Sequence, residues 1–148
     1  MSQKGLKLLA GFEGLVLHPY LDSVKVPTIG IGSTYYENGT RVKLTDPPIT
    51  EARAYELLAN TISFYERTVT RLVKVIVTQF QFEAMVSLCY NIGGANFAKS
   101  SVLRLVNKGD FAGAAKAFLL WNRAGGKVLN GLTIRRTKEA EYFLTKGV

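Results

Sequence analysis

Glu13, Asp22 and Thr28 stand nine and six residues apart, and Thr28 lies in the run Pro27-Thr28-Ile29-Gly30-Ile31-Gly32. Two carboxylic acids on different local structures, with a hydroxyl nearby, are the minimum equipment for splitting a glycosidic bond with water. One acid protonates the leaving oxygen, and the other activates the water or attacks in its place. Such a pair works only if the two acids differ in protonation, and their surroundings predict that difference. Leu6, Leu9 and Ala10 recur at helical intervals within Ser2 to Phe12, and Gly5, Gly11 and Gly14 limit that helix, so Glu13 falls where it ends. The negative end of the helix dipole, together with partial burial beside Phe12 and Leu15, favours a protonated Glu13, the form a general acid needs.

Asp22 lies in a stretch of another kind. From Val16 to Leu44 the chain is broken by Pro19, Pro27, Gly30, Gly32 and Asn38-Gly39, with β-branched residues between them, and it reads as a small hairpin sheet. Fully extended, Asp22 and Thr28 would lie roughly 20 Å apart, so they share a site only if the chain turns between them. Ser23-Val24-Lys25 is the expected turn, and the even offset then lets both side chains face the same way. On an exposed polar hairpin Asp22 is expected to stay ionised.

The rest of the chain reads as helix. Thr50 caps a long one carrying Ala54, Leu57, Leu58, Ile62, Tyr65, Val69, Leu72 and Val73 on one stripe. Thr78 with Gln81 is a capping-box pattern that opens the next, which stops at Gly93-Gly94. Further helices are predicted over Ala98 to Asn107, over Asp110 to Leu120, and from a Thr133 cap to about Leu144.

Taken together these residues resemble the phage-type lysozymes, glycoside hydrolase family 24, whose pattern is Glu, eight residues, Asp, five residues, Thr. Glu13-Gly14, Asp22 and Pro27 to Gly32 match it. Later landmarks follow in order: Tyr90-Asn91-Ile92-Gly93-Gly94 with Phe97 and Ser100-Ser101, then Phe118 to Asn122, then Gly131-Leu132 with Arg135-Arg136 and Glu139. The resemblance covers nearly the whole chain. It implies a mostly helical α+β, lysozyme-like fold: one domain over 1–148, with a small N-terminal hairpin lobe (about 12–50), a long connecting helix, a helical C-terminal lobe (about 76–148) with helix 1–12 packed on it, and a cleft between the lobes. It also implies cleavage of the β-1,4 bond between N-acetylmuramic acid and N-acetylglucosamine in peptidoglycan, with Glu13, Asp22 and Thr28 catalytic and no cofactor. Candidate substrate contacts are Gly30, Tyr90 and Asn91. An arginine of the last helix, Arg136 or Arg135, is expected to pair with the catalytic glutamate; adjacent side chains on a helix diverge by about 100°, so only one should point at a given spot. Where the family usually has a histidine after the Gly-x-Gly run, this chain has Ser33 and Thr34, a departure that bears on the stability of the hairpin.

The remaining features narrow the possibilities. The single histidine, His18, has no second ligand at metal-like spacing and reads as a surface residue, so no metal is expected. The single cysteine, Cys89, excludes an intramolecular disulfide and reads as core among Phe82, Met85, Val86 and Ile92, as does Trp121. No signal peptide or membrane-spanning run stands out, which predicts synthesis in the host cytoplasm and action on the wall in the periplasm. In the resembled family a holin opens the inner membrane for that passage, and some relatives carry a signal-arrest-release segment instead. Basic and acidic residues number 9 and 8 through Ala98, but 10 and 3 from Lys99 onward. That cationic end suits anionic wall polymers or lipopolysaccharide, weakened by salt. Nucleic acid suits charge alone, but no zinc-finger spacing, ribonucleoprotein signature or long basic run supports it. A non-catalytic cationic wall-binding or nucleic-acid-binding module and a lytic transglycosylase are the rival readings, and a monomer is expected.

Overall fold

The computed structural model describes residues 1–146. Within them the chain forms two compact units, Met1–Phe64 and the residues from Tyr65 onward.

The first unit opens with α1, Gln3–Glu13, capped by Ser2, whose Oγ accepts the Gly5 N–H at 3.1 Å. Leu6 and Leu9 are its buried face, and Gly14, at φ 79, ends it immediately after Glu13. Strands β1 (Val16–Leu21) and β2 (Pro27–Gly30) pair antiparallel, Tyr20 opposite Thr28 and Leu21 opposite Pro27. The chain then passes through short bridges, Ile29 with Ser33 and Tyr35 with Arg41, to α2, Glu51–Leu72. Thr50 starts that helix as expected, its Oγ1 accepting the Arg53 N–H at 3.1 Å. Ile29, Val42 and Leu57 form the unit's buried cluster, with Tyr36 and Ile49 against it. Gly30 is a point of close approach: at φ 69, a Cβ there would lie 3.2 Å from that of Ala54, so glycine is what lets β2 reach α2.

Helix α3, Gln79–Ile92, begins with the expected reciprocal capping box of Thr78 and Gln81 and ends at Gly93, φ 90. It is buried over seven consecutive residues, Glu83 to Cys89. The segment read as one helix from Ala98 to Asn107 is two, α4 (Gly94–Ala98) and α5 (Ser101–Asn107), because Ser100 Oγ takes the Leu103 N–H and starts the chain afresh. Helix α6 covers Phe111–Phe118, capped by Asp110; beyond it, Leu119, Leu120 and Trp121 each bond three residues back and tighten the chain out of the helix. A hairpin that the sequence reading missed follows, β3 (Arg123–Ala124) with β4 (Lys127–Val128). Gly125 and Gly126, at φ 58 and 79, supply the two positive angles its tight turn demands. Helix α7, Asn130–Leu144, starts before Thr133. Thr133 is therefore no cap: its Oγ1 lies inside the first turn, donates to Leu129 O and accepts from Asn122 Nδ2 at 3.1 Å.

Packing of α3 on α7 buries a charged group, Glu139, completely. Arg136 Nη1 meets its Oε1 at 2.5 Å, Arg135 Nε meets Oε2 at 3.3 Å, and Ser87 Oγ donates to Oε2 from α3. Both arginines are themselves buried and converge on this one carboxylate, contrary to the expected divergence. One lies three residues before Glu139 and the other four, and both offsets face the same side of a helix. Loss of water pushes the Glu139 carboxyl up, while Arg136, Arg135 and Ser87 pull the other way. Cys89 is fully buried, as expected, and its thiol is pushed up to about 11 by burial. Trp121, read as core, is only partly buried.

Two substitutions separate satisfied from unsatisfied burial. Ser33 is 1% exposed and its Oγ has no hydrogen-bond partner. In urea melts Ser33→Ala is expected to match the parent or gain up to about 1 kcal/mol, since an unsatisfied hydroxyl contributes nothing where it stands. Glu139→Ala leaves two buried guanidinium groups without their carboxylate and should lose about 3–5 kcal/mol in the same measurement.

Candidate functional site

The hairpin of the first unit is built by the side chain it presents. Asp22 Oδ1 accepts the backbone N–H of Val24 at 2.9 Å and of Val26 at 2.8 Å, folding Ser23-Val24-Lys25 back on itself. Backbone bonds complete the turn: Asp22 N–H to Val26 O and Lys25 N–H to Asp22 O, each 3.0 Å. Lys25 takes φ 63, the one positive angle of a non-glycine residue among those described. The turn is the one expected from sequence, and its cause is an aspartate bonding its own downstream backbone. Among the described residues no donor reaches Oδ2, so one oxygen of Asp22 holds the turn while the other accepts no hydrogen bond from them.

Thr28 lies across the hairpin from Tyr20 and is 3% exposed. Its hydroxyl donates to Val26 O at 2.9 Å. The proton is thereby committed to the backbone, and the lone pairs of Oγ1 remain as acceptors. Because Asp22 bonds Val26 and Tyr20 opposes Thr28, the ladder sets Tyr20, Asp22 and Thr28 on one face of the hairpin.

Glu13 is the last residue of α1, partly buried, where the sequence reading placed it. What links it physically to Asp22 is Tyr20. Burial raises the pKa of the Tyr20 phenol above its ordinary value of 10.0, and the charges of Glu13 and of Asp22 each raise it further. Both carboxyls therefore lie near enough to act on one aromatic side chain that sequence reasoning passed over. A signal for it existed: Tyr20 is two residues before Asp22, hence on the same face of a strand.

Gly30, read as a substrate contact, is buried against Ala54 and serves the approach of β2 to α2. The second unit holds the other candidates. Tyr90 sits edge-on against Tyr65, ring centroids 5.1 Å apart. Asn91 gives its Oδ1 to Arg136 Nη2, which ties it into the buried Glu139 cluster. The outer side of Asn91 joins Asn96, Trp121, Arg123 and Leu132 around an open cavity of 460 Å³, with an aromatic face and amide groups of the kind sugars and peptides use. His18 is exposed, and among the described residues its ring meets one hydrogen-bonding partner, Pro19 O. No group of three or more potential metal ligands occurs among the described residues, and none of their helices is long and apolar enough to cross a membrane.

Comparison with known proteins converges on one family. The model for phage lysozyme matches residues 10–139. The endolysin of Salmonella phage P22 is 39% identical over 145 residues, covering 98% of each chain. The endolysin of Bacillus phage B103 is 42% identical over 147 residues, 98% of this chain and 54% of that one, so this chain spans about half of that relative's length. Among solved structures, a mutant of P22 lysozyme superposes with a TM-score of 0.90 at 40% identity over 98% of both chains. The endolysin from Escherichia coli O157:H7 phage FAHEc1 gives 0.90 at 37% identity, covering 97% of this chain and 92% of its own.

Tyr20 provides a direct check on the placement of the two carboxyls. In a carbon-13 NMR titration of labelled tyrosine, the Tyr20 phenol should ionise above pH 10, and Glu13→Gln and Asp22→Asn should each move that midpoint down. Removing a nearby negative charge makes the phenolate easier to form, so an upward or absent shift in both variants would contradict the arrangement.

Proposed function

The chain belongs to the phage lysozyme family and has its lysozyme-like fold; from that premise we propose that it is a peptidoglycan-degrading glycosidase for phage host lysis, hydrolysing the β-1,4 bond between N-acetylmuramic acid and N-acetylglucosamine. The family match across residues 10–139 carries this reading. The hairpin chemistry supports it: Asp22 Oδ2 and the lone pairs of Thr28 Oγ1 are two acceptors on one face, a cradle for a water with both hydrogens engaged and a lone pair left over.

In the proposed reaction Glu13 gives its proton to the glycosidic oxygen as the bond from that oxygen to the anomeric carbon breaks. The water, held by Asp22 and Thr28, attacks that carbon from the opposite ring face and passes a proton to Asp22. The outcome is inversion, and Glu13 is then recharged from solvent. The partly cationic surface from Lys99 onward would concentrate the protein on anionic wall polymers or lipopolysaccharide, an attraction that salt weakens. Synthesis in the host cytoplasm, release through a holin, and action in the periplasm as a monomer complete the proposal.

Glu13→Gln and Asp22→Asn should each lower wall-clearing activity by roughly 10²- to 10⁴-fold, the range of a lost general acid or base. Asparagine keeps an amide oxygen for the Val24 and Val26 N–H groups, so the melting temperature of Asp22→Asn should stay near the parent's. Mass spectrometry of digested peptidoglycan should find reducing-end muropeptides; anhydro-sugar ends would replace hydrolysis with transglycosylation. Proton NMR of the first products should show the α-anomer, and a β-anomer would make the route retaining.

A further inference from the structure

The phenol of Tyr20 is a polar group without an assigned task. Its ring is partly buried in β1, directly opposite Thr28 and two residues before Asp22. No hydrogen bond to its hydroxyl is made by any described residue, although the side chain lies within electrostatic reach of both Glu13 and Asp22. Its oxygen is not among the sealed, unpartnered polar atoms of the described residues, so the hydroxyl is open to the outside, where an arriving ligand can take its hydrogen bond.

We propose that Tyr20 binds substrate, its hydroxyl donating a hydrogen bond to an oxygen acceptor of the saccharide that lies against the hairpin face carrying Asp22 and Thr28. The proposal rests on the glycosidase reading for the identity of that ligand. Three features make Tyr20 suited to the task. The strand register sets it on the face that carries Asp22 and Thr28, so any sugar placed for attack by a water on those two groups lies against it. Asp22 Oδ2 and Thr28 Oγ1 offer acceptors only, and a saccharide's ring, hydroxyl and acetamido oxygens call for a donor among them. Burial and the two carboxyls keep the phenol protonated well beyond neutral pH, so it donates across the whole working range and adds no charge of its own.

The test separates binding from turnover. A soluble tetrasaccharide of alternating N-acetylglucosamine and N-acetylmuramic acid is titrated calorimetrically into Glu13→Gln and into Glu13→Gln with Tyr20→Phe; kcat/KM is compared for the parent and Tyr20→Phe. Phenylalanine preserves the ring, so the melting temperature should be unchanged while affinity and kcat/KM both fall about five- to tenfold, the equivalent of one neutral hydrogen bond. Values within twofold of the reference proteins in both assays, or no tetrasaccharide binding by either protein, overturn the assignment. A fall in affinity in a protein whose parent releases no reducing ends upholds Tyr20 as a saccharide donor and removes the hydrolytic reading instead.

Discussion

Glu139 is a carboxylate with none of its surface in water, and the second unit is arranged around satisfying it. Each of its oxygens has a guanidinium against it, and Ser87 on α3 adds a hydroxyl. A buried charge held in this way adds little net stability over a hydrocarbon core of the same shape, but any disturbance that separates the partners is costly. The arrangement ties α3 to α7 through Ser87 and Glu139, and a slip that parted them would take a hydrogen bond from a buried charge. Arg136 extends the constraint to Asn91 at the end of α3, so an amide at the mouth of the Trp121 cavity inherits its orientation from a buried ion cluster.

The first unit solves a different problem with smaller means. A five-residue connection between β1 and β2 has to be tight enough to set Tyr20 against Thr28, and the Asp22 side chain closes it by standing in for missing backbone bonds. Behind it, Gly30 against Ala54 seats the hairpin on α2. One hydroxyl, that of Thr28, has its hydrogen drawn to Val26, which fixes the polarity it offers outward. The chemistry proposed for the site is thus prepared by backbone bonds that exist before any sugar arrives.

Much of this was legible in the sequence because it is local. Thr50, the Thr78–Gln81 pair, the Asp22 turn and the glycines after Glu13 and Ile92 act over two to four residues, and each does what its type and spacing suggest. The end of α1 at Glu13 followed from the same signals. The failures are also local in cause: Ser100 was a cap hidden inside an apparently continuous apolar pattern, and Thr133 looked like a cap but stands after helix has already begun at Asn130. Arg135 and Arg136 were judged as neighbours, when their shared partner lay one helical turn ahead. Trp121 and Tyr20 were harder, because how far a ring is covered, and which charges surround it, depends on elements brought together by folding.

Cys89 is the sole sulfhydryl, sealed within α3 and held in its neutral form by its surroundings. Its inertness means that the fold has no covalent staple to form and none to scramble. Passage of the folded protein from a reducing to an oxidising milieu would leave the connectivity of the chain untouched.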